Sequence, residues 1–229
     1  MTRIATIAFV LLTLAPFARP AHADPVLIGG PTDGHNCFPF GCPQNAIAPA
    51  TRYQQVYSSA QFSAPMLIEQ IQFFRSLGTQ TNTGLYWFYL STTSRPVDGL
   101  DTKNFDLNVG EDRTLFSIVE FTGRMAGSVL SIAGDPFTYN PRLGNLLLDI
   151  VIPGGAHNNS GEENAYFAAR NGDAGGLFSR AHNFGEGTTG YGLVTRFVDS
   201  SAPVPEPATL TLLSLGLIGT AIRARRRPR

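Results

Sequence analysis

No stretch between residues 24 and 202 keeps a 3.6-residue apolar repeat over three turns, so the apolar residues of this region share no helical face. They fall instead into short runs rich in β-branched and aromatic residues: 67–74, 85–90, 114–121, 128–133, 137–139, 146–152, 165–169 and 192–198. Gly, Asn, Asp, Ser and Pro fill the gaps, and the chain holds 24 glycines and 16 prolines, enough to reverse direction after each run. Short strands at this spacing predict an all-β fold, specifically a two-sheet antiparallel β-sandwich with a jelly-roll-like order. A closed barrel is the alternative. The stretch 52–62, with Tyr53, Val56, Tyr57 and Ala60, fits either a helix or an opening strand followed by a loop. Its place just ahead of the Ile-rich run suits the second.

The two ends of the chain have a different character. Arg3 precedes an apolar run over 4–14, Pro16 breaks it, and Ala21-His22-Ala23 offers a small-residue cleavage site before Asp24. That order predicts a secretory signal peptide over residues 1–23. At the other end, Val204-Pro205-Glu206-Pro207 leads into an uncharged apolar run over 208–222, followed by Arg223, Arg225, Arg226, Arg227 and Arg229. Those 15 residues make a helix of about 22 Å, short of the ~30 Å hydrocarbon core. A span of this length suits a transient transmembrane helix whose flanking arginines snorkel to the interface. Arginines beyond the span place the tail in the cytoplasm and the domain outside.

In order and spacing, these three parts resemble the PEP-CTERM sorting signal of Gram-negative bacteria, over residues 204–229. The resemblance implies recognition by an exosortase, a membrane-embedded transpeptidase-like enzyme that removes the tail near the Pro-Glu-Pro. Pro205, Glu206 and Pro207 would be the recognition element, 208–222 the membrane stop, and the arginines, Arg225, Arg226 and Arg227 among them, the cytoplasmic anchor. It further implies a cell-surface or extracellular-matrix destination after transient anchoring in the inner membrane. Because the family is associated with exopolysaccharide producers, exopolysaccharide or other envelope material is the implied partner. The 52–57 and 145–150 segments resemble β-rich domains of such proteins and support one domain without implying an activity. The chain thus divides into a signal peptide (1–23), a β-domain (24–202) and a sorting signal (203–229).

Charge becomes informative once the ends are set aside. The whole chain balances 17 basic against 17 acidic residues, but 24–202 keeps 10 basic and 16 acidic, a net charge near −6. Such a domain is a poor match for nucleic acid, which needs a basic face, and for anionic lipid. Cys37 and Cys42 are the only cysteines. An exported location permits oxidation, and two cysteines alone make no four-ligand zinc site, so a local disulfide is expected.

Several features are candidates for chemistry. In the run 85–90, alternation puts Leu85, Trp87 and Tyr89 on one face and Tyr86, Phe88 and Leu90 on the other. Trp87 and Tyr89 are candidates for stacking against sugar rings, as are Phe38 and Phe40 on the disulfide loop; the competing reading of all four is core packing. Asp98, Asp101, Asn104, Asp106, Asn108, Glu111 and Asp112 form an oxygen-rich stretch that is a candidate calcium loop, although it lacks EF-hand spacing. No other cofactor is expected. His35, His157 and His182 are scattered, and no H-E-x-x-H, Gly-x-Ser-x-Gly or P-loop pattern occurs. The expectation is a non-enzymatic exported protein associated with exopolysaccharide. The alternative is a secreted hydrolase acting on polysaccharide, which needs two carboxylates facing across a cleft.

Overall fold

The computed structural model describes residues 24–42, 51–158, 163–183 and 189–199. The expected signal peptide (residues 1–23), the Pro-Glu-Pro element, the apolar run 208–222 and the arginine tail lie outside the described residues. Among the described residues, no helix is long and apolar enough to cross a membrane.

Twelve strands follow in order: β1 (Val26–Ile28), β2 (His35–Asn36), β3 (Arg52–Tyr57), β4 (Met66–Leu77), β5 (Thr83–Thr93), β6 (Thr114–Thr122), β7 (Val129–Tyr139), β8 (Asn145–Val151), β9 (Tyr166–Asn171), β10 (Phe178–His182), β11 (Tyr191–Leu193) and β12 (Thr195–Val198). The all-β expectation holds, with two antiparallel sheets. The first runs β1-β12-β4-β9-β11, with β7 added to β4 and β2 added to β9; the second runs β10-β3-β8-β5-β6. The ambiguous stretch 52–62 is strand β3 followed by a single 3-10 turn, Ser59–Gln61.

Period-two alternation sorts the side chains. Strand β4 turns Met66, Ile68, Ile71 and Phe73 inward, and the step from Ile68 to Ile71 breaks the alternation by one residue. A register shift against β7 between Ile68 and Gln70 absorbs it: a bulge adds the extra residue and keeps the apolar set on the core side. From the second sheet, Tyr53, Tyr57, Tyr86, Phe88, Leu90, Leu146, Leu148 and Ile150 meet these residues in one apolar cluster.

Strand β8 is buried on both faces. The 94–113 connection explains this, because it crosses the outer face of the second sheet. Asn108 Nδ2 donates to Gln54 Oε1 (2.7 Å), Gln54 Nε2 donates to the Phe105 carbonyl (3.1 Å), and Asp98 N–H donates to Ser179 Oγ (2.7 Å). These bonds satisfy polar groups that the crossing segment removes from water.

Candidate functional site

The Cys37–Cys42 disulfide is formed, and it closes a loop whose carbonyls are held from far along the chain. Pro39 O accepts from Asn82 Nδ2 (3.1 Å) and Tyr86 Oη (3.2 Å), Phe40 O from Asn82 N–H (2.6 Å), and Gly41 O from Asn158 Nδ2 (3.1 Å). The loop thereby drives Phe40 into the core, with ring centroids of Phe73, Phe167, Phe121, Tyr86 and Phe88 at 5.1 to 6.2 Å. Phe38 packs against Tyr53 and His182. Phe38 and Phe40, candidates for either stacking against sugar rings or core packing, are both buried, and their rings meet protein rings. Burial pushes the Tyr53 hydroxyl up to about 12, and Tyr57 and Tyr86 also rise, chiefly through burial.

Trp87 and Tyr89 lie on the opposite, outward face of β5, half-exposed. Leu85 (42% exposed), Leu115 (39%) and Ile118 (50%) flank them. The Arg113 guanidinium sits 3.7 Å from the Tyr89 ring centroid, so one face of that ring is already covered. Arg113 also bonds Asp149, which is 1% exposed and takes two further bonds from Arg52 at 2.9 Å. Arg52 reaches on to Asp106 at 2.8 Å. A buried carboxylate held by two guanidinium groups is a satisfied structural ion cluster.

The oxygen-rich loop does not converge. Asp101 accepts from Lys103 and Asn104 N–H, which lowers its carboxyl below the usual range. Asp106 pairs with Arg52, Asp112 accepts from Thr92 N–H, and Asp98 accepts from Gly190 N–H. Among the described residues, no three His, Cys, Asp or Glu side chains gather as a metal site. The histidines are also apart. His35 meets Tyr166 edge-on, His157 pairs with Thr83 through its backbone, and His182 is pushed down to about 4, by burial first and by Arg180 second.

Sequence reasoning missed a polar strip on the outer face of the first sheet. Arg196 on β12, Gln72 on β4 and Ser131 on β7 are directly paired across three adjacent strands. Arg196 Nη1 donates to Gln72 Oε1, and Gln72 Nε2 donates to Gln70 Oε1 and Ser131 Oγ. The signal was present in the alternation Gln70, Gln72, Phe74. At one end of the same sheet, Arg75, Leu77, Thr79, Glu163, Asn164 and Tyr166 line an open depression of about 520 Å³.

Together these features define a two-sheet antiparallel β protein with an aromatic-filled core and outward faces that differ in chemistry. Residues 203–227 match the family model of the PEP-CTERM protein-sorting motif, so the chain carries an exosortase-substrate sorting domain at that end. The motif implies an exported protein of the cell envelope that an exosortase processes. No curated protein and no solved structure matches the chain.

Proposed function

We propose that the β-domain is a non-catalytic surface or matrix protein that associates with exopolysaccharide once its tail is removed. On this reading the chain belongs to a Gram-negative bacterium, residues 1–23 are a cleaved signal peptide, and 208–222 anchor it briefly in the inner membrane. The strand orders β2-β9-β4-β7 and β3-β8-β5-β6 support a jelly-roll-like sandwich, since each sheet interleaves strands from the two halves of the chain. The observation that carries the functional reading is how six of the domain's 16 acidic groups are engaged. Asp149, Asp106 and Asp173 sit on arginines, and Asp98, Asp101 and Asp112 on main-chain N–H groups. Side chains engaged this way build a scaffold and its loops, leaving the sheet faces to meet a ligand.

Retention of the exported protein on the producer's own polysaccharide tests this directly. Binding without release of reducing ends is the expected result. Release of reducing ends would favour the hydrolase, and no retention would count against both.

A further inference from the structure

Arg52, Arg75, Arg113 and Arg170 each place guanidinium nitrogens on a carboxylate or a main-chain carbonyl. Arg196 does neither. Its guanidinium lies 4.8 Å from the Phe74 ring centroid and, among the described residues, makes one hydrogen bond, to Gln72 Oε1 at 3.3 Å. The planar fork stays charged at any ordinary pH and carries five N–H donors, most of them without an acceptor among the described residues. This cation stands on an open sheet face of a domain whose own net charge is near −6. Beside it, Gln72 and Ser131 continue the row across β4 and β7, and Gln70 and Phe74 flank Gln72 along β4. Three strands at ~4.8 Å spacing spread the row over about 10 Å, the breadth of a disaccharide.

We propose that this strip is the polysaccharide-binding face and that it selects a carboxylate-bearing sugar chain. The inference rests on the polysaccharide-associating function proposed above. Arg196 meets the sugar carboxylate with its fork, the geometry in which guanidinium and carboxylate pair best. Gln70, Gln72 and Ser131 offer donors and acceptors to the hydroxyls. Phe74 is a positioning residue that holds the guanidinium flat on the sheet. An extended acidic peptide fits less well: β4 is paired on both sides, so the strip offers no main-chain edge to a strand. The Leu85–Trp87–Ile118 face, by contrast, is apolar at these positions, and the Arg113 guanidinium beside Tyr89 is bonded to Asp149.

Affinity electrophoresis of the exported protein tests the assignment, in gels containing polygalacturonate, neutral dextran or poly-L-glutamate. The expected result is retardation by polygalacturonate alone, weakening as salt rises. Arg196→Gln should weaken it about tenfold. Arg196→Lys, which keeps the charge and loses the fork, should fall between, and Trp87→Ala should bind as the parent does. Undiminished binding by Arg196→Gln, or equal retardation by dextran or poly-L-glutamate, overturns the strip. Retention on the producer's own polysaccharide but not on polygalacturonate overturns this inference and leaves the proposed function standing. Loss of retention on both overturns the two together.

Discussion

Gln55 lies on the inward face of β3, fully buried. Its carboxamide joins the two sheets: Nε2 donates to Leu193 O (2.9 Å), and Oε1 accepts from Leu193 N–H (2.8 Å) and Tyr53 Oη. Replacing it by Leu keeps the volume but leaves the buried Leu193 N–H without its acceptor, at a cost of roughly 1–3 kcal/mol, while Leu193 O keeps the Thr195 hydroxyl at 3.0 Å. Gln55→Leu is expected to lose about 1–3 kcal/mol in urea denaturation. His182 gives a pH dependence. Its imidazole stays neutral in the folded chain down to about 4, whereas an unfolded chain protonates it near ~6.5. Protons therefore favour the unfolded state between those values, and stability present above pH ~6.5 falls as the pH drops toward 4. The urea midpoint of the parent should decline across that window, and His182→Gln should flatten the decline; equal slopes would remove His182 as the cause. At this scale the sequence was legible where alternation decides, as for the split of Trp87 and Tyr89 onto one face of β5 and Tyr86 and Phe88 onto the other. At Phe40 it left stacking and core packing both open, because a Pro- and Gly-containing loop carries no period-two pattern. The residues that draw that loop inward, Asn82, Tyr86 and Asn158, lie about 40 to 120 positions away in sequence.

At the scale of elements, the disulfide loop acts as a plug, and two kinds of change should separate its parts. Losing the cross-link by a Cys37→Ser, Cys42→Ser pair removes about 2 kcal/mol on the loop-entropy estimate. Phe40→Ala removes a ring at the centre of the aromatic cluster and should cost roughly 3–5 kcal/mol. Gly41 is the tightest point of the loop, because a Cβ there would stand 2.1 Å from the Ala165 carbonyl oxygen. Gly41→Ala must therefore displace backbone, while Gly154→Ala, with open space around it, should be nearly silent in the same thermal melt. Equal melts would show that the loop yields without strain. The strands themselves were unevenly legible. The runs 128–133 and 137–139 are one strand, β7, and Gly134-Asp135-Pro136 between them reads as a turn. Strand β7 pairs only with β4, and its register skips those three residues at the bulge, so Pro136 removes no ladder bond. Strand β10 escaped notice because Arg180 and His182 alternate with small residues and mimic a polar loop. Strands of two or three residues such as β1 and β2 carry too little pattern to read.

For the whole molecule, topology and address came from different kinds of signal. All-β character followed from short apolar runs, but the pairing of β1 with β12, residues Val26 and Phe197 opposite each other, had no local signature. It arises only once both ends of the domain meet at one sheet edge. The sorting motif over residues 203–227 was legible because such a motif is read as linear sequence. Its removal has a measurable electrostatic consequence. The unprocessed chain is balanced, 17 basic against 17 acidic residues, with an isoelectric point near 6.9. The proposed cleavage after Ala23 and near Pro205 would discard seven arginines and leave 10 basic against 16 acidic residues, so the mature protein should focus at a distinctly acidic pH. Isoelectric focusing with intact mass of the exported protein reads both ends at once. Replacing Pro205, Glu206 and Pro207 together by Ala should leave a near-neutral, arginine-ended form in the membrane fraction. An exported protein that keeps its arginines and its neutral focusing point would show that the motif is not processed in this chain.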